Sequence, residues 1–162
     1  MRQTGRFTRG AVVRNLECSE KFGAIHELLR KAQVFRSINE LDEVEQAIVA
    51  REKVQSTGLG SGVAVAHGKT SAVGNIVMAL GISERGIEFG AFDDEPVRLL
   101  FIVANPPGMQ LEYLLALSVI VRTIRDRRFR DELFSYKSAE RIEKRLMNAM
   151  SQAMVKRGFP FT

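Results

Sequence analysis

The sequence predicts an α+β protein, a three-layer α/β/α sandwich in which a mixed β-sheet is flanked by helices on both faces. Three observations carry this. Two stretches of helical periodicity come first, several short apolar runs of strand type follow, and the chain returns to helical spacing from Gln110 onward. A length of 162 residues suits one domain with one substantial core. The chain is expected to divide into a flexible basic arm over 1–10, a single domain over 11–150 and a loosely packed tail over 151–162.

The elements follow in order. Ser19 reads as the N-cap of a first helix, because Phe22, Ile25, Leu28 and Leu29 recur at helical spacing after it. A second helix begins near Asp42, with Val44, Ala47, Ile48 and Val54 on its apolar side. Residues 56–62 place three glycines among small polar residues and read as a loop. Val63–Ala66 and Ile76–Leu80 read as short buried strands, and Ile87–Phe89 as part of a further strand or hairpin. Val97–Ala104 is a nearly continuous apolar run that stops at Asn105-Pro106-Pro107-Gly108, the pattern of a strand buried on both faces. In the next helix Leu111, Leu114, Leu115, Ser118 and Val119 share a face. Phe129 and Leu133, then Ile142, Leu146 and Met150, mark two more helices separated near Ser135–Ser138.

Composition excludes several classes. No run approaches the roughly 18 apolar residues of a membrane span, so no membrane insertion is expected. A lone cysteine, Cys18, and a start without the apolar stretch of a secretory signal point to the cytoplasm. Lys and Arg number 24 against 19 acids, a net charge of +5. The excess sits in the N-terminal arm, at Arg122–Arg130 and over Lys137–Arg157. Acids are interspersed and Trp is absent, so a solvated basic face is the reading and nucleic acid is not the expected partner.

Two histidines leave little choice for chemistry. His26 lies in the first helix without an evident partner and reads as a boundary residue. One cysteine and two separated histidines cannot supply the usual four ligands of a structural zinc site, and no metal or other cofactor is expected. His67 is different: it ends a buried strand beside a glycine-rich loop, where a scaffold exposes reactive side chains. The tail of a phosphate-binding loop is present as Gly68-Lys69-Thr70, but Val63 stands where that motif needs its first glycine. After Gly60, the dinucleotide spacing fails at the same Val63. No nucleotide is expected. Taken alone, His67 reads rather as a satisfied strand-end histidine.

Arg51-Glu52 followed by Ser56-Thr57-Gly58-Leu59-Gly60-Ser61-Gly62-Val63-Ala64-Val65-Ala66-His67-Gly68 resembles the signature of the IIA domains of the phosphoenolpyruvate-dependent sugar phosphotransferase system, fructose/mannitol type. The nitrogen-regulatory IIA proteins belong to the same group. The resemblance spans about Leu16 to Ile142 and includes Gly86–Gly90 and the Pro96–Ala104 run. It implies that His67 accepts a phosphoryl group from an HPr-type phosphocarrier and passes it on, with Arg51 as the fixed cation. Ser56, Thr57, the backbone after His67 at Gly68, and Tyr113 are implied as phosphoryl-stabilising. The implied partners are that carrier and either regulatory protein targets or a separate IIB protein in sugar uptake. The nitrogen-regulatory type of role is the expectation, and a IIA-like binding module that has lost its chemistry is the third possibility. Two departures stand out. Ala66 occupies the place of a usual proline, and Tyr113 that of a second histidine carried by many members.

Overall fold

The computed structural model describes residues 7–156. Helix α1 (Lys21–Lys31) is capped by Glu20 rather than Ser19: its carboxylate accepts from the backbone N–H groups of Phe22 at 3.0 Å and Gly23 at 2.7 Å. An anionic side chain there satisfies two orphan donors and suits the positive end of the helix dipole. A short 3-10 turn (Gln33–Phe35) leads to helix α2 (Leu41–Val54). The buried stripe of α2 is Val44, Ile48 and Glu52, whereas Val54, expected on the apolar side, is 80% exposed.

Five strands form one mixed sheet. They are β1 (Val12–Val13), β2 (Gly58–Gly60), β3 (Val63–Lys69), β4 (Val77–Ile87) and β5 (Val97–Asn105), in the spatial order β1-β4-β5-β3-β2. β3 runs parallel to β5, β4 runs antiparallel to it, and β1 lies parallel to β4. The glycine-rich segment is therefore not a free loop. Gly58 pairs with Ala64 and Gly60 with Val63 in a tight hairpin. Its turn holds Gly60, Ser61 and Gly62 all at positive φ, which glycine adopts without strain, and Asp93 fixes the Ser61 N–H at 2.8 Å. β4 joins most of the first run, 77–80, to Ile87 at the start of the second, in one strand where the sequence separates them.

Alternation along the strands splits the core into two faces. Val63, Val65, Leu80, Leu99, Phe101 and Val103 face the layer of α3 (Gln110–Ile124), α4 (Arg127–Ser135) and α5 (Ala139–Lys156). Ala64, Ala66, Ala79, Leu100, Ile102 and Ala104 face α1 and α2. The small residues on that second face let α2 approach β3 closely: a Cβ added to Gly68 would stand 2.8 Å from the backbone nitrogen of Ile48.

Three expectations are corrected. Residues 1–6 lie outside the described region, but Phe7 in the supposed arm is core, with Thr8 and Arg9 exposed after it. Phe7 is 1% exposed and meets Phe101 edge-on at 5.8 Å, while Glu143 accepts from the N–H groups of Gly10 at 3.0 Å and Val12 at 3.4 Å. One phenylalanine among arginines gives no periodicity to read. At the other end α5 continues to Lys156, with Ala153 and Met154 packed against the core, so residues 151–156 are not a loose tail. Residues 157–162 lie outside the described region. Finally, α3 buries Tyr113, Ala116, Val119, Ile120 and Ile124, leaving Leu111 80% and Leu114 49% exposed. Apolar residues lie nearly all round this helix, so their period alone does not choose the inward face.

Part of the basic excess works internally. Arg130 donates to the carbonyls of Ile124 and Arg125 at the end of α3, and Arg145 pairs with Glu132. His26 bonds Glu45 at 2.8 Å on the outer surface of α1 and α2. Among the described residues no helix is long and apolar enough to cross a membrane, and no group of three His, Cys, Asp or Glu residues is placed to hold a metal ion.

Candidate functional site

β2 covers only the first part of β3, and the site stands where that cover ends. The N–H of Val65 donates to Thr57 at 3.2 Å, the last backbone bond between the two segments; beyond it the edge of β3 is open. His67 projects from this open edge on the same face as Val63 and Val65, toward the α3 layer. There its ring meets Tyr113 in the first turn of α3, with centroids 5.3 Å apart and planes tilted by 41°. Arg51 comes from α2 on the opposite face and is close enough for its charge to act on both His67 and Tyr113. Three layers thus contribute one side chain each.

The imidazole has a defined orientation. Nδ1 lies 3.1 Å from the carbonyl oxygen of Val65, an acceptor only, so Nδ1 carries the hydrogen and donates it. Nε2 is left with its lone pair. The His67 pKa is pushed below its ordinary 6.5, first by burial and then by the Arg51 charge, against upward pulls from the Val65 hydrogen bond and from Glu52. The ring is therefore neutral at pH 7. Burial raises the Tyr113 pKa, with Arg51 opposing, so its phenol keeps its proton.

The two hydroxyl residues have other work. Ser56 Oγ donates to the Phe89 carbonyl at 3.1 Å and accepts from the Gly58 N–H at 3.2 Å. Thr57 Oγ1 donates to Glu52 Oε2 at 2.5 Å. Each hydroxyl has one hydrogen and it is committed, so neither residue is a free phosphoryl donor as arranged; both hold the segment before β2. Gly68 likewise serves space rather than hydrogen bonding. Val65 N–H points to the β2 side of β3, where Thr57 accepts it, and Thr70 N–H points to Asn105 on β5, so by strand alternation Gly68 N–H also faces β5. The same alternation directs the N–H groups of His67 and Lys69 to the open edge.

Sequence reasoning passed over Glu52 and Lys21. Glu52 is 2% exposed; it accepts from the Thr57 N–H at 3.0 Å and pairs with Lys21 at 3.2 Å. A signal existed: Val44, Ile48 and Glu52 follow one another at four-residue steps, which puts a carboxylate in line with an apolar stripe.

Residues 6–149 match the family model described as "Phosphoenolpyruvate-dependent sugar phosphotransferase system, EIIA 2". The chain belongs to this family. Among its EIIA relatives, a nitrogen regulatory protein of Bradyrhizobium diazoefficiens is 33% identical over 132 residues, covering 82% of this chain and 86% of that one. The fructose-specific EIIABC component of Bacillus subtilis is 30% identical over 142 residues, 88% of this chain, which spans only 22% of that protein's length. The crystal structure of the nitrogen regulatory protein IIA-Ntr from Neisseria meningitidis superposes with a TM-score of 0.77 at 30% identity, covering 85% of this chain and 93% of that one. The mixed-sheet sandwich is thus the EIIA fold.

Proposed function

We propose that this EIIA chain is a phosphoryl carrier with its reacting atom at Nε2 of His67, and that it acts in the cytoplasm chiefly as a regulator of the nitrogen-regulatory type. The observation that supports this best is the Nδ1–H bond to Val65, which leaves a neutral imidazole with its lone pair on the exposed nitrogen. Such a ring needs no base to activate it. The Nε2 lone pair attacks the phosphorus held by an HPr-type phosphocarrier. The new N–P bond forms as the bond to the carrier breaks, and the carrier keeps that bonding pair. Positive charge growing on the His67 ring is relieved through Nδ1–H on the Val65 carbonyl.

Catalysis then reduces to positioning and charge stabilisation. Arg51 Nη1 rests on the Gln55 carbonyl at 3.0 Å, and the guanidinium has further donors for the phosphoryl oxygens. Tyr113 offers an un-ionised O–H from the other side. This replaces a second imidazole by a donor that carries no charge, so the doubly negative group is balanced mainly by Arg51. No cofactor or nucleotide enters the step. A phosphoryl group at His67 changes the charge of this edge, which lets the two forms select different protein targets.

Similarity to the Bradyrhizobium nitrogen regulatory protein and to the Neisseria IIA-Ntr supports the regulatory reading. Similarity to the Bacillus fructose EIIABC component supports a second one, onward transfer to a separate IIB protein in sugar uptake. Incubation with phosphoenolpyruvate, enzyme I and the phosphocarrier, read by intact mass and acid lability, tests the carrier step. One acid-labile phosphoryl group is expected on the wild type and none on His67→Ala. Addition of a IIB protein that discharges it at a catalytically useful rate would favour the second reading.

A further inference from the structure

We propose that Glu52 is a positioning residue of this site, a buried carboxylate clamp on Thr57 that sets where both Arg51 and His67 meet the phosphoryl group. The inference rests on the phosphoryl-carrier reading of His67.

The Glu52 side chain is wholly buried, yet α2 has no packing need for a charge there. An apolar residue at that point of the Val44–Ile48 stripe would avoid desolvating two ions, a cost that a buried pair seldom recovers. The carboxylate is instead fully used. One oxygen accepts the Thr57 N–H at 3.0 Å and lies 3.2 Å from Lys21 Nζ; the other accepts the Thr57 hydroxyl at 2.5 Å. Lys21 is itself largely buried and rests 4.9 Å from the centre of the Phe89 ring, so the counter-charge is held as firmly as the carboxylate.

What Glu52 holds is the hinge of the site. The Thr57 carbonyl accepts from Val65, and the Val65 carbonyl accepts from His67 Nδ1. Two residues before Thr57, the Gln55 carbonyl receives the Arg51 guanidinium. Segment 55–57 therefore reaches the nucleophile by way of Val65 and touches the cation directly, and Glu52 pins it together with the Ser56 hydroxyl on Phe89. Its charge acts as well. Arg51 and Glu52 both face His67 from α2 with opposite signs, and Tyr113 faces it from α3 without charge, so Glu52 moderates the loss of proton affinity that Arg51 causes. Misplacement of a cation by even about 1 Å costs around a hundredfold in rate when positioning is the whole of catalysis.

The test compares Glu52→Gln, the double variant Lys21→Met/Glu52→Gln and Thr57→Val with wild type. The double variant leaves no unpaired buried lysine and so keeps the chain folded if the single change does not. NMR follows the His67 ring titration in the unphosphorylated chain, and initial rates are taken against phosphocarrier concentration. Glu52→Gln is expected to titrate His67 at a lower pH than wild type, whereas the double variant loses both charges of the pair and is judged by its rate. Their kcat should fall by at least about tenfold with carrier KM within about twofold, and Thr57→Val should fall between. A double variant with wild-type kcat would make the clamp merely structural and overturn the proposal. If the wild type takes up no phosphoryl group, the carrier reading fails on that result alone. The His67 titration of Glu52→Gln then still judges the proposal, with an unchanged midpoint overturning it.

Discussion

Replacing Gly68 by alanine should damage the site without touching a reacting atom. The glycine lies on β3 beneath α2, and an added Cβ would stand 2.8 Å from Ile48 N, 2.9 Å from the Ala47 carbonyl carbon and 3.1 Å from Ala47 Cβ. Two of those three atoms are backbone, so no side chain can swing away. Restoring an ordinary contact of 3.4 Å from 2.8 Å requires α2 to retreat by about 0.6 Å. Overpacking of this kind costs about 1–3 kcal/mol. At about 2–4 °C per kcal/mol for a domain of this size, the melting temperature should fall by roughly 2–12 °C. The same retreat carries Arg51 away from His67, because the two stand on opposite sides of the contact, and about tenfold in transfer rate is expected. Thermal unfolding and the rate of acid-labile phosphoryl uptake are measured side by side. A Gly68→Ala protein that melts within about 1 °C of wild type and is phosphorylated at the wild-type rate would refute the reasoning, since α2 would then have given way at no cost.

Other outcomes follow from the same geometry. Phosphoryl uptake should fall on acidification with its midpoint below pH 6.5, because burial holds the His67 pKa under its ordinary value; a midpoint above 6.5 would contradict the burial argument. The sign for stability is the same. Between the folded pKa and the unfolded value of about 6.5 the unfolded chain binds more protons, so acidification through that window weakens the fold, and His67→Ala should lose part of this pH dependence in urea unfolding. Tyr113→Phe keeps the ring against His67 and should change stability by no more than about 0.5 kcal/mol, while slowing phosphoryl transfer about tenfold if the phenol donates to the moving group. Equal rates would reduce Tyr113 to packing. Phe7→Ala should cost about 3–5 kcal/mol in denaturant unfolding, a result that a flexible arm could not produce.

Much of the protein is legible without coordinates where the signal is local. The Val97–Asn105 strand declares itself by an apolar run closed by prolines, and the helices after Gln110 by spacing and by the Ser135–Ser138 break. The signature from Arg51 to Gly68 points to the EIIA family, and to His67 and Arg51, because spacing of residue types along one chain survives in sequence. Signals that depend on a partner are read less well. Phe7 joins the core only because Phe101 lies opposite it, and the glycines of 58–62 pair only because Val63 and Ala64 are beside them. Ser56 and Thr57 look like donors until Phe89 and Glu52 take their hydrogens.

The sequence by itself determined the helices, the strands β3 and β5, the alternation that gives the sheet two buried faces, and the family of the chain, since these follow from periods and intervals along it. The tertiary structure alone decided which nitrogen of His67 is free, that Tyr113 rather than Leu111 or Leu114 turns inward, and that Glu52 and Lys21 form a buried pair behind the site. Each of those depends on where a strand edge ends and on which atoms from other layers come within hydrogen-bonding distance, and such distances are set by packing between elements that the order of residues does not encode locally.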